Sequence, residues 1–300
     1  MNKKMKLELV FKDIIEELRS FKVVAIIFIT NVLLLVSVAS IFYSVINSNK
    51  NGYATNYKAV LYMYNNLIFM EFVIILVIIP LIAGFTYARE YENGTLELLL
   101  LTKVKTSDIL VSKIIKCLLF SIFLVITSLP MFCVVFSVGG VTLWDIIKFF
   151  IVVVSTSLLF GSIGMYFSTK YKNASKAILY TYITEAILSF GTTLLFNIIY
   201  NICDKIKNRA FYSGTTGAEY DKIQFSFLGN LLLSNPLFNL YKLQSDIVGN
   251  TSKFDTTMNK FGINAVIDKM WIFISVSIQI VVIIFVINKT KKILFNRHHK

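Results

Sequence analysis

The chain has 300 residues, 56% of them hydrophobic and 16% charged, with a formal net charge of +13. Its mean hydropathy of +0.70 lies outside the range of ordinary soluble domains and marks an integral membrane protein. In such a chain a basic excess reports cytosolic flanks of spans rather than nucleic-acid binding, which would want basic residues clustered in a soluble domain.

Residues 5 to 21 place Leu7, Val10, Phe11, Ile14, Leu18 and Phe21 at helical spacing, with Lys6, Lys12, Asp13, Glu16, Glu17 and Arg19 on much of the other face. This pattern predicts an amphipathic helix lying on the cytosolic leaflet. About twenty charged and amphipathic residues precede the first long apolar run, so the N-terminus does not read as a cleavable signal peptide. The first span is expected over residues 23–46. A polar connection, 47–66, leads to a second span over 67–87 with Pro80 inside it, where a kink is tolerated in a membrane helix. Glu71 is expected near the outer end of that span, within reach of headgroups.

The stretch Tyr87-Ala-Arg-Glu-Tyr-Glu-Asn-Gly-Thr-Leu-Glu-Leu-Leu-Leu-Leu101 follows. Its charges exclude it from hydrocarbon, where each would cost roughly 2.5–3.5 kcal/mol at the bilayer centre. Leu98 to Leu101 are too few to span. The segment is expected at the membrane surface as a short helix-turn-helix. Asn93-Gly94 supplies the break, since both residues tolerate positive φ, and Thr95 caps the second helix. The run Glu90-x-Glu92-x-Gly94-Thr95-Leu96-Glu97-x-Leu99-Leu100, followed by Thr106-Ser107-Asp108-Ile109-Leu110-x-x-Lys113, resembles the permease subunits of the type-2 ABC exporters. That family typically shows an acidic residue, a Gly-Thr-Leu-Glu-x-Leu-Leu run, a turn and a helix start ending in Gly-Lys. Two positions depart from it: Lys103 stands where the turn usually holds proline, and Ser112 where the Gly of Gly-Lys is usual.

Ser107 or Thr106 is expected to cap the third span, 109–138, which Pro130 interrupts, and Gly139-Gly140 makes a tight turn. The fourth span, 143–167, carries Ser157, Gly161 and Gly164 at small-residue spacing suited to close helix packing. Asp145 and Lys148 stand within a turn of each other and are expected to pair. Lys170, Lys172 and Lys176 mark the next connection. The fifth span, 177–200, holds Glu185, an ionisable residue inside a membrane segment and so a candidate for the translocation path; an internal packing hydrogen bond is the competing reading. The connection 201–269 is too long for a simple turn. Its apolar piece from Phe225 to Phe238 is too short to span and reads as a re-entrant or interfacial helix ending at Asn235-Pro236. The sixth span, 270–288, leads into a tail with Lys289, Lys291, Lys292, Arg297, His298, His299 and Lys300.

The basic residues concentrate in the N-terminal segment, the second-to-third and fourth-to-fifth connections and the tail. The positive-inside rule then places both termini in the cytosol. The fold class expected is an all-α integral membrane protein of six transmembrane helices forming one permease domain over 1–300. Its parts are a cytosolic amphipathic helix (1–22), a cytosolic segment (89–105) and an extended outer region (201–269). The chain has no GxxxxGK[ST], HExxH or GxSxG sequence, and its cysteines, Cys117, Cys133 and Cys203, lack CxxC spacing. Catalysis and a metal site are therefore not expected, and neither is a cofactor of its own.

The resemblance implies the permease subunit of an ATP-binding-cassette exporter, working as a homodimer or similar heterodimer in a plasma membrane. A separate ATPase subunit would bind ATP and Mg. Arg89, Glu90, Glu92, Gly94, Thr95 and Glu97 would form the coupling helix, and residues 1–22 the family's elbow helix. An apolar path with few charges favours a hydrophobic or amphipathic cargo such as a peptide antibiotic, drug or lipid, with a sodium exporter as another option. The Lys-, Asn- and Ile-rich composition suggests a bacterium. A non-transporting membrane scaffold or immunity protein is the alternative from another class. A secondary carrier would want an inverted repeat and several intramembrane charges, which the sequence does not show.

Overall fold

The computed structural model describes residues 21–49, 57–94, 106–138, 141–171, 173–212, 232–248 and 270–298. Among them every regular element is a helix. In chain order these are α1 (Phe21–Asn49), α2 (Tyr57–Glu92), α3 (Thr106–Val138), α4 (Leu143–Lys170), α5 (Ala174–Ala186), a π-helical turn (Ile187–Gly191), α6 (Thr192–Tyr212), α7 (Pro236–Val248) and α8 (Trp271–His298). Among the described residues six stretches are long and apolar enough to cross a membrane: Val23–Tyr43, Leu61–Glu92, Ile109–Phe136, Leu143–Lys170, Ala174–Ile199 and Trp271–Phe295. The expected N-terminal amphipathic helix, Thr95, Glu97, Gly139-Gly140 and Lys172 lie outside the described residues, as do 213–231 and 249–269 of the long connection.

The chain divides into two compact units, one of residues 1–182 with 280–300 and one of 183–279. In the first unit α2 packs most extensively against α4, α3 packs on both, and α1 lies on α2 and α3. Small and hydroxylated residues make these contacts. Gly164 lies so close to α2 that a Cβ there would meet Ala83 Cβ at 2.5 Å, while one at Gly161 would meet Cys117 Cβ at an ordinary 3.4 Å. Ser121 on α3 donates to Ser157 on α4 at 3.0 Å. Thr156, Ser157 and Ser162 are buried, while Phe28, Leu33, Val36, Val77 and Ile126 are exposed. Small polar groups inside and large apolar groups outside is the arrangement a bilayer favours, because lipid supplies no hydrophobic drive to bring bare apolar faces together.

The small-residue packing expected of Ser157, Gly161 and Gly164 is thus what the bundle uses. Asp145 and Lys148 do approach, at 3.7 Å. Asp145 is engaged first in starting α4, accepting from the Thr142 backbone N–H at 3.1 Å and from its hydroxyl at 2.6 Å, which satisfies a donor at the helix start. Two expectations fail. Residues 57–66, read as polar connection, are the first turns of α2, since their alternation of tyrosine, aliphatic and asparagine residues does not interrupt a helix already nucleated by the apolar run behind them. Glu71 therefore lies 14 residues into α2, about 21 Å from its start. It is 2% exposed with Ser128 of α3 against its carboxyl rather than reaching headgroups.

In the second unit α7 starts where the sequence reading ended a helix. Asn235 is its cap: Oδ1 accepts from the N–H groups of Leu237 at 2.8 Å and Phe238 at 3.4 Å, with Pro236 in the first helical position, where a missing N–H costs nothing. The same side chain donates through Nδ2 to the Ser189 carbonyl at 2.8 Å and to Thr192 Oγ1 at 2.7 Å. One turn on, Asn239 donates to Ser275 Oγ at 2.6 Å and accepts from Trp271 Nε1 at 3.2 Å. α7 is thereby pinned by two amide side chains to the π-helical turn on one side and to α8 on the other. Leu232, Leu233 and Trp271 close the apolar contact around it.

Candidate functional site at the end of α2

The acidic stretch is not a separate surface helix. α2 runs unbroken through Arg89, Glu90, Tyr91 and Glu92, because a helix already bearing 30 residues extends more easily than a new one nucleates. The break comes at Asn93-Gly94 as the residue types require. Gly94 has φ +70, and its N–H donates to the Tyr91 carbonyl at 3.1 Å while that of Asn93 donates to Arg89 at 3.0 Å. A left-handed glycine directly after the last helical turn is the usual way to close a helix. Thr95 and Glu97 follow beyond the described residues.

Three helices hold this end of α2. From α4, the Ser168 Oγ accepts from the backbone N–H groups of both Tyr87 and Ala88 at 2.8 Å, so a side chain of the neighbouring helix enters the hydrogen-bond ladder of α2. From α3, the buried Lys113 ammonium pairs with Glu90 Oε1 and lies 4.5 Å above the Tyr87 ring, adding a cation–π contact to the ion pair. At α5, Glu92 Oε1 accepts from the Ala174 N–H at 2.8 Å and Asn173 Oδ1 accepts from the Ser175 N–H at 3.0 Å. Together they satisfy the first two free donors of α5 and set a carboxylate at its positive end.

The fit between backbones is close. A Cβ on Gly84 would stand 2.9 Å from Ile178 Cγ1 and 3.2 Å from Ile178 Cα, and Ala88, Ala174 and Ala177 pack together beside Tyr171. Tyr171 stacks on Tyr180 with centroids 4.6 Å apart and planes at 9°, fixing the corner between α4 and α5. Deeper in the bundle the cluster of Ala83, Tyr87, Ile109, Leu110, Ile114, Cys117, Met165 and Leu294 continues the same contact. Further along α2, the Tyr182 hydroxyl of α5 donates to the Val77 carbonyl, next to Pro80, whose ring disturbs the carbonyls of the preceding turn.

Of the residues singled out in the sequence, the structure brings Glu90 and Glu92 into this joint, leaves Arg89 exposed at its edge, and uses Gly94 to end it. Ser168, Asn173 and Ala174 were not singled out. Asn173 had a legible signal as a capping residue before an alanine-rich helix start, whereas nothing in periodicity marks Ser168 as the residue that reaches across to α2. In the sequence Lys113 stands only as the end of a motif; its pairing with Glu90, 23 residues away, is a product of tertiary packing. Glu185 belongs to the second unit, where 7% of its surface is exposed. Among the described residues no group of His, Cys, Asp or Glu is placed to hold a metal ion.

Ser168→Ala leaves the Tyr87 and Ala88 N–H groups without that acceptor in a buried setting. The expected loss is about 1–3 kcal/mol, read as a lower midpoint in thermal size-exclusion of detergent-solubilised protein. An unchanged midpoint would show that Ser168 is not what secures this turn.

A comparison with curated protein sequences returned no match. A family model described as ABC-2 family transporter protein matches residues 7–298, nearly the whole chain. With six helices able to cross a membrane, the chain is a multi-pass membrane protein with the architecture of a transport permease, and it belongs to the ABC-2 transporter family.

Proposed function

We propose that the chain is the permease subunit of an ABC exporter whose energy comes from a separate ATPase subunit, and that the end of α2 with residues 93–105 is where that subunit acts. The observation that carries this reading is the joint itself. One short stretch, Tyr87 to Glu92, is bonded to α3, α4 and α5 at once. A push applied just beyond Gly94 therefore reaches four helices without passing through a soft loop. Rigid-body displacement of packed helices is a recognised route for converting a local binding event into a change of access across the membrane.

In this reading both termini, residues 1–22 and the segment 89–105 are cytosolic, and a second permease copy completes the path. ATP and Mg are bound by the ATPase and not by this chain. Glu90 and Glu92 transmit within the permease, since their carboxylates are engaged internally. Arg89 and Glu97 are the charges offered to the partner. The cargo is hydrophobic or amphipathic and leaves the cell, and the membrane is a bacterial plasma membrane.

Combining Arg89→Glu with Glu97→Lys reverses both charges offered to the partner and leaves the internal bonds intact. The double variant is expected to keep the thermal midpoint of the wild type while losing at least tenfold of the ATPase activity that copurifies with it. Wild-type ATPase recovery would remove these residues from the docking surface.

A further inference from the structure

The second unit contains a layer of buried polar groups that its own hydrogen bonds do not use. Glu185 Oε2, Ser189 Oγ and both Oε1 and Nε2 of Gln279 are buried without a hydrogen-bond partner. Glu185 is 7% exposed, Ser189 1% and Gln279 0%. Buried polar atoms are nearly always satisfied, so several such atoms in one region point to a missing partner.

Their placement follows from how α7 is pinned. A single turn of α7, Asn235 to Asn239, bonds the Ser189 carbonyl and Ser275 Oγ, and side chains four apart on a helix stand about 5–6 Å from each other. This ties the π-helical turn and α8 to one and the same turn of α7. Glu185 lies four residues before Ser189, and Gln279 four residues after Ser275. The fifth and sixth spans are consecutive and so cross in opposite directions. Both residues are thus displaced the same way along the membrane normal, by about one turn or 6 Å, toward the end where α5 starts and α8 finishes. Glu185 and Gln279 therefore lie on the same side of the α7 turn that holds Ser189 and Ser275. The π-helical turn begins two residues after Glu185, and such turns recur at functional positions because they re-aim the side chains around them.

The chemistry of the unused atoms favours a ligand class. Glu185 Oε2, Gln279 Oε1 and Ser189 Oγ are three acceptors, one on a carboxylic group, against one unused donor nitrogen, Gln279 Nε2, and a primary ammonium is a compact group with three donors and no acceptor. We propose that Glu185, Gln279 and Ser189 form an intramembrane binding site for the primary ammonium group of an amphipathic molecule. The site is closed over these atoms in this structure, and a ligand enters when the spans rearrange. This deepens the export reading by naming the cargo's headgroup, but binding is measurable without any ATPase.

The test uses the two tryptophans of the chain. Trp271 is buried on α8, eight residues from Gln279 and so about 12 Å away, and Trp144 is exposed. Trp144→Phe leaves Trp271 as the reporter in full-length protein reconstituted in nanodiscs. Dodecylamine is expected to change its fluorescence saturably, dodecanol and sodium chloride alone not. Glu185→Gln, which keeps the shape and removes the charge, is expected to weaken dodecylamine at least tenfold. Gln279→Leu and Ser189→Ala are expected to weaken it severalfold. Variants are compared after size-exclusion, and either milder variant serves if Glu185→Gln does not remain monodisperse. Equal responses to dodecylamine and dodecanol, a response to sodium alone, or unchanged affinity in the variants would overturn the site. A chain that binds the amine while no ATPase copurifies would leave the site standing and remove the exporter reading.

Discussion

Gly164→Leu is expected to prevent the α2–α4 bundle from forming, and Gly164→Ala to destabilise it by about 1–3 kcal/mol, the usual cost of overpacking a tight interface. The reason is distance. The added Cβ would stand 2.5 Å from Ala83 Cβ and 3.2 Å from the Gly84 backbone nitrogen, and the backbone cannot step aside because Ser168, one turn further on, is bonded to α2. Gly161→Ala is the internal control: its Cβ meets Cys117 at 3.4 Å, an ordinary contact, and alanine is the better helix former by about 1 kcal/mol. The expected order of thermal midpoints is Gly161→Ala at or above wild type, Gly164→Ala clearly below, and no folded peak for Gly164→Leu. Equal midpoints for the two alanine variants would mean that the close approach of α4 to α2 is not a feature of the folded protein.

Glu92→Lys is expected to separate docking from transmission. The substitution removes the acceptor for the Ala174 N–H and places a positive charge at the positive end of α5. Losing a cap costs about 0.5–2 kcal/mol and reversing the charge about 0.3–1 kcal/mol more, so the bundle remains folded. The ATPase is expected still to copurify, since Arg89 and residues beyond Gly94 are untouched, while stimulation of its activity in reconstituted complexes falls at least tenfold. Glu92→Gln keeps the acceptor oxygen and is expected to fall between the two. Loss of ATPase binding in Glu92→Lys would instead assign Glu92 to the docking surface, and full stimulation would show that α5 is not driven through this contact.

The parts of this architecture that were legible in the sequence are those set by local composition. Six apolar runs, the break at Asn93-Gly94 and the small-residue face of α4 follow from hydropathy, from the φ freedom of glycine and from spacing. What failed or was missed depends on length and on tertiary contact. Residues 57–66 read as a polar connection and Arg89 to Glu92 as a separate surface helix, yet each is a polar end of a long apolar helix that carries through them. That extension buried Glu71, which hydropathy alone placed at the surface. The Asn235-Pro236 pair reads as a stop because proline disfavours helix in the residue before it, and the helical residues Leu232 and Leu233 do end there; that the same pair also caps and opens α7 is visible only in its contacts. Ser168 reaching the α2 backbone and Lys113 meeting Glu90 join residues 80 and 23 positions apart, a relation that no periodicity encodes.

If this chain is driven by an ATPase it does not contain, the ATPase should accompany it through affinity purification of the tagged full-length chain from its own cell in mild detergent. A stoichiometric ABC-type ATPase is expected in the eluate, identified by mass spectrometry, and its ATP hydrolysis is expected to rise when the two are reconstituted together. Recovery of the chain alone, or with a partner that hydrolyses no ATP, would contradict the ATPase-driven reading and favour a non-transporting membrane scaffold.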